Sequence, residues 1–134
     1  MRTRVLVGVF LLVASLGAGT LATSGDGVAP LKQWALVNFV EPTRVGSDIL
    51  SGTYLIVHDD IKMERGEPCT TIYRWDPVRG PREAVVSFRC HPALRNVAGR
   101  LTLTVRRLRD LGSGCRLIEY QFAGDAEAHG VPLQ

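Results

Sequence analysis

A chain of 134 residues with 16 basic and 13 acidic side chains carries a net charge of +3. Arg2 and Arg4 supply two of the positive charges, so the rest of the chain is close to neutral, with 14 basic against 13 acidic residues. That balance argues against nucleic-acid binding, and the length suits one domain built around a single core.

The chain opens on Met-Arg-Thr-Arg and continues into an apolar run from Val5 to Leu16, which fades into Gly17, Gly19 and Thr20. A basic start, a short apolar stretch and a small-residue exit predict a secretory signal peptide over residues 1–22. A membrane span would need ~20 apolar residues. Thr20 and Ala22 satisfy the small-residue rule for cleavage after Ala22. Cleavage after Ser24 is the alternative. No cysteine lies near the signal to carry a lipid, and no second long apolar run follows it. The expectation is an exported protein, periplasmic or secreted, with no membrane span after signal cleavage.

Residues 23–32 read as a flexible lead-in, because Ser24 to Pro30 is rich in Gly and small residues. Residues 33–123 read as a β domain. Strands are expected over Trp34–Val40, Ile49–His58, Cys69–Trp75, Ala84–Cys90, Leu101–Arg106 and Cys115–Phe122, where β-branched and aromatic residues cluster in short runs. Pro42 is expected to end the first strand, since proline cannot donate to a ladder. Asp76 to Pro81 is a turn signal. His91 to Gly99 reads as a loop or a single helical turn, and residues 124–134 as a polar, irregular tail. Six to seven short strands argue an all-β fold, a small antiparallel sandwich or an open barrel. The pattern leaves both architectures and the strand order open.

Three cysteines, Cys69, Cys90 and Cys115, lie beyond the signal. If the third and fourth strands form a hairpin with Trp75 opposite Ala84, Cys69 falls opposite Cys90. Their Cβ atoms would then lie ~4.5–5.5 Å apart, near the spacing a disulfide requires. A Cys69–Cys90 bridge is expected, with Cys115 free on the less buried face; the protein is expected to be a monomer or weak dimer, with a covalent dimer through Cys115 open. Cys69–Cys115 and Cys90–Cys115 are the rival pairings.

The segment Phe39 to Tyr54 resembles a recurrent unit of exported bacterial β-sandwich proteins, in which a strand, a Pro-containing turn and a second strand are joined through Leu-x-x-Gly-x-Tyr. Leu50 to Tyr54 is one residue shorter than that spacing. Val57-His58-Asp59-Asp60, Gly66-Glu67-Pro68-Cys69-Thr70 and Glu119 to Gly124 resemble segments of an uncharacterised family of small exported bacterial β-rich proteins. The resemblance implies export and a β fold. It carries no activity and transfers no functional residue.

The densest polar cluster is His58-Asp59-Asp60, at a strand end where loops place functional groups; it is the candidate ligand-binding site. Asp125, Glu127 and His129 form a second cluster. Imidazole and carboxylate ligate divalent metals. If the tail folds over the end of the second strand, His58, Asp60, Glu127 and His129 converge as a candidate metal site. The simpler account makes Asp59 and Asp60 turn formers and the tail a solvated terminus. A blue-copper centre needs two His, one Cys and usually an axial Met. Met63 is the only Met beyond the signal, and no tight Cys–His–Met run surrounds Cys115, so such a centre is not expected.

Ser113 lies in Gly112-Ser113-Gly114, which reads as a turn and not as a nucleophile elbow. A Cys115 thiol paired with His58 or His129, or carboxylates among Asp59, Asp60 and Glu119, would be the residues of a small hydrolase. Arg106, Arg107 and Arg109 read as a charged strand edge. The leading expectation is a non-enzymatic exported binding or envelope-interaction module, with a protein, a cell-envelope component or a small ligand as partner. A periplasmic metal-binding protein using His58, Asp60 and His129 is the first alternative, with a divalent metal as its cofactor. A secreted hydrolase is the second.

Overall fold

The computed structural model describes residues 32–109 and 114–133. The expected signal peptide, all of the lead-in but Lys32, Ser113 and the last residue of the tail lie outside them. The described chain is all-β apart from one helical turn. Its elements are β1 (Lys32–Val45), β2 (Asp48–Asp59), α1 (Asp60–Glu64), β3 (Thr70–Asp76), β4 (Gly80–Phe88), β5 (His91–Leu94), β6 (Thr102–Arg107), β7 (Cys115–Gln121) and β8 (Glu127–Gly130). No described helix is long and apolar enough to cross a membrane.

All eight strands join one open sheet in the order β4-β3-β2-β1-β7-β8-β5, with β6 also paired to β7. β1 pairs with β7 in parallel at Thr43–Cys115 and Arg44–Arg116, and the other pairings are antiparallel. The expected antiparallel sandwich or open barrel is therefore corrected to an open mixed sheet, with eight strands in place of six or seven. Both additional strands are four residues long. His91–Leu94, expected as a loop, pairs with Glu127–Gly130 from the expected tail. Lys32, placed in the lead-in, begins β1.

β1 does not end at Pro42. Phe39 pairs with Gly52 and Thr43 with Leu50, so the chain from Val40 to Pro42 forms a bulge against the single residue Ser51. A bulge removes the need for a ladder N–H, which is where proline is tolerated. Beyond it Thr43 and Val45 return to the buried face. Gly46, with φ 61°, occupies the first position of the two-residue turn between Val45 and Asp48, a conformation that suits glycine in tight hairpins.

Alternation places Val37 and Phe39 of β1, Tyr54 and Ile56 of β2 and Ile72 of β3 on the buried face. Leu117, Tyr120 and Phe122 complete the same core cluster from β7 and the residue after it. A second irregularity matters here. Thr104 pairs with Glu119 and Val105 with Leu117, so Ile118 is an extra residue in β7. The alternation changes phase at Ile118. Cys115 and Leu117 thus lie buried with Tyr120 and Phe122, and the expectation that Cys115 occupies the less buried face is overturned.

The sheet curls so that β7 and β8 approach the inner face of β2 and β3. Tyr120 Oη of β7 meets Thr70 Oγ1 of β3 in a short hydrogen bond, and the His129 ring of β8 lies 3.9 Å from the His58 ring of β2, centroid to centroid. The outer face of the first three strands keeps apolar groups in solvent, Trp34 and Leu36 among them.

The β3–β4 hairpin departs from its expected register. Thr70 pairs with Phe88 and Ile72 with Val86, one residue away from the expected alignment, and the turn end pairs Trp75 with Pro81. The Asp76 carboxylate draws the turn in by accepting hydrogen bonds from the backbone N–H of Val78 and Arg79, each at 2.8 Å. Two register shifts along the hairpin then absorb the difference. Cys69 and Cys90 fall just outside the paired residues and are not cross-strand partners. All three cysteines are free thiols, which corrects the expected Cys69–Cys90 disulfide.

Candidate metal centre

Five elements, β2, α1, β3, β4 and β8, deliver side chains to one end of the curled sheet. β2 ends on its buried face at His58, because the period of two carries Tyr54 and Ile56 inward ahead of it. Asp59 then switches the chain into α1. Its carboxylate accepts from the backbone N–H of Ile61 and Lys62, an N-cap, and the turn carries Met63 against the core. Cys69 precedes β3, Cys90 follows β4, and His129 sits in β8.

These groups converge on the Cys90 sulfur. His58 Nε2 lies 3.4 Å from Cys90 Sγ, His129 Nδ1 lies 3.8 Å away and Met63 Sδ lies 3.8 Å away. His58, Cys69 and Cys90 each offer a ligand atom within 4.8 Å of the other two. The backbone N–H of Cys90 also donates to Cys69 Sγ at 3.1 Å. A tetrahedral ion with metal–nitrogen distances near 2.0 Å and metal–sulfur distances near 2.3 Å holds its nitrogen and sulfur ligands about 3.5 Å apart and two sulfurs about 3.8 Å apart. The separations around Cys90 match that scale. His58, Cys69, Cys90 and His129 are all buried.

A carboxylate stands behind the His58 imidazole, while a second one meets the same His129 nitrogen that faces Cys90. Asp60 Oδ1 is 3.3 Å from His58 Nδ1, and Glu127 Oε1 is 3.8 Å from His129 Nδ1. A carboxylate on the far nitrogen of a ligating histidine fixes its tautomer and raises its basicity. With the proton on Nδ1, facing Asp60, the Nε2 lone pair of His58 is presented to the cluster. His58 Nδ1 and His129 Nε2 are buried nitrogens without a hydrogen bond.

Electrostatics keep the cluster neutral. Burial lowers the pKa of His58, against the pull of Asp60, Asp59 and Asp125. Burial, helped by the adjacent His58, lowers His129 to about 4. Burial and the neighbouring Cys69 push the Cys90 thiol up to about 12. Burial likewise raises Glu127, with Asp125 and Asp60 adding to it. Neutral imidazoles are the form that ligates metals. A bound cation would supply the positive charge that a buried thiolate lacks.

Of the residues expected to bind a ligand or a metal, His58, Asp60, Glu127 and His129 are brought together. The two carboxylates face imidazoles and not the Cys90 sulfur. Asp59 is turned away: it caps α1 and lies 3.9 Å from Lys32. Cys69, Cys90 and Met63 were not expected among the ligands. The two cysteines were assigned to a bridge, and Met63 has no sequence neighbour in the cluster. The blue-copper donor set of two His, one Cys and one Met does assemble, around Cys90 instead of Cys115, and from four separate elements.

The hydrolase residues do not meet. Cys115 contacts Thr43 Oγ1 at 3.4 Å, and Thr43 lies beside Leu50 at the other end of β2 from His58, about 26 Å away along the strand. Glu119 is held by Arg95 through contacts of 3.0 and 2.8 Å. Arg107 reaches Glu41 at 2.9 Å on the charged edge. Comparison of the chain with protein-family models, with curated proteins and with solved structures gives no match.

Proposed function

We propose that this protein is a non-enzymatic exported binding domain whose ligand is a thiolate-preferring transition-metal ion. The observation that carries the reading is the buried triplet His58, Cys69 and Cys90, with ligand atoms within 4.8 Å of one another. Hard cations such as magnesium and calcium require cages of oxygen ligands. This cluster offers sulfur and imidazole nitrogen, which suit zinc and cuprous copper. Cys90, His58 and Asp60 stand in the order nucleophile, base and orienter, but Cys90 and His58 are buried and burial holds the thiol protonated, so they present no exposed nucleophile.

The test is metal uptake by the mature chain, purified with a thiol reductant and no chelator. One equivalent of zinc or cuprous copper is expected to bind in competition with a chromophoric chelator. Loss of both cluster ligands in the His58→Ala, Cys90→Ser double variant should abolish uptake, with the β circular-dichroism signal retained. Sub-stoichiometric binding, or uptake unchanged in the double variant, would overturn the reading.

A further inference from the structure

Thioether sulfur discriminates among the ions that thiolate and imidazole attract. Zinc takes thiolate, imidazole and carboxylate ligands. Cuprous copper, a softer ion, accepts thioether alongside thiolate. Met63 is therefore the informative residue of the cluster. It lies on the single helical turn α1, whose other residues after Asp60 are exposed, and it alone turns inward. Its Sδ comes to 3.8 Å from Cys90 Sγ. The Asp59 cap fixes the start of that turn through Ile61 N–H and Lys62 N–H at 3.1 and 3.3 Å. A methionine placed only for packing would need no sulfur partner.

The remaining donors point the same way. Cys69 and Cys90 supply two further sulfurs, and His58 and His129 supply borderline nitrogens. The nearest carboxylates, Asp60 and Glu127, address imidazole nitrogens. The buried ligands leave little access for water, so a soft ion of low coordination number fits better than one that keeps aqua ligands.

We infer that the ion held at this site is cuprous copper, with Cys90 and His58 as principal ligands and Met63 as the thioether that selects copper over zinc. The inference rests on the metal-binding reading above and adds the identity of the ion. On binding, each ligating thiol gives up its proton to solvent and donates a sulfur lone pair to copper. Neither sulfur nor copper changes oxidation state.

The experiment is a pair of anaerobic competition titrations of the intact mature chain, one with Cu(I) and one with Zn(II), each against a chelator specific for that ion. The wild type and Met63→Leu are compared, because leucine keeps the volume and removes only the sulfur. The expected result is Cu(I) affinity about tenfold weaker in Met63→Leu, the scale on which supporting interactions act at metal sites, with Zn(II) affinity within about twofold of wild type. An equal change for the two ions, or none, would overturn the copper assignment. If the wild type then still binds Zn(II) through Cys90, the metal-binding reading survives that failure. If neither ion binds the wild type, both readings fall together. The melting temperature of the metal-free variant, expected to match wild type, shows that a lost affinity is not a lost fold.

Discussion

The Cys90 thiol and the Asp76 carboxyl, at opposite ends of the β3–β4 hairpin, show how placement sets chemistry. Cys90 is surrounded by neutral groups and sulfur, so its proton is held to about pH 12 unless a cation arrives. Asp76 is half-buried at the turn, and the backbone N–H groups of Arg79 and Val78 favour its ionised form, so its pKa lies below the ordinary carboxylate value. A carboxyl whose folded pKa is depressed adds stability that is present above the unfolded value. That stability is lost as pH falls through the folded value. Asp76→Ala is therefore expected to lower stability at pH 6, and the difference from wild type should shrink at pH 2. Urea unfolding of both proteins at the two pH values measures it. A difference as large at pH 2 as at pH 6 would show that the carboxylate does not close the turn.

At the level of elements, the cluster depends most on its shortest piece. α1 spans five residues, too few to persist as a helix unaided; the Asp59 cap, the closing hydrogen bonds from the backbone N–H of Arg65, Gly66 and Glu67, and the packing of Met63 hold it. Asp59→Ala removes the cap, a change typically worth about 1 kcal/mol. It is expected to weaken Cu(I) binding without touching a ligand, while Zn(II) binding, which does not use Met63, stays near wild type. Parallel titrations of the two ions read this out. Six strands were legible in the sequence because their apolar residues alternate over six residues or more, Leu101 to Arg106 being the clearest. β5 and β8 were not, since His91–Leu94 and Glu127–Gly130 are four residues long and owe their pairing to each other and to β7. Bulges at Val40–Pro42 and at Ile118 shift the phase of the alternation and misplaced both the end of β1 and the burial of Cys115. A one-residue change of register in the hairpin, set by the Asp76 turn, converted an expected disulfide into two free thiols. His58, Asp60, Glu127 and His129 were visible as polar clusters whose convergence hung on a fold of the tail. Cys69, Cys90 and Met63 could join them only once the sheet was seen to curl.

Across the whole molecule, an ion at Cys90 would tie together parts of the chain that the sheet holds unevenly. His58 lies in the central strand β2, and Cys69 immediately precedes β3. His129 belongs to β8, which is anchored by four residue pairs to the edge strand β5 and three to β7. Short, peripheral strands open at lower free energy than a core, so β8 is the element that an ion bridging it to β2 would protect most. Binding to the folded chain alone stabilises it by about 2.7 kcal/mol when free ion is a hundredfold above its dissociation constant. Adding Cu(I) to the metal-free protein is therefore expected to raise the melting temperature by several degrees. It should also slow amide hydrogen exchange in Glu127–Gly130 more than in β3. His58→Ala should lose both effects, because β8 would then have no ion-mediated link to β2. Hydrogen exchange read by mass spectrometry, with and without Cu(I), separates the cases. Protection confined to the segment around Cys69 and Cys90 would mean that the ion sits on the hairpin thiols and leaves β8 unlinked. Protection reaching Glu127–Gly130 would place His129 at the ion and make closure of the curled sheet a consequence of metal uptake.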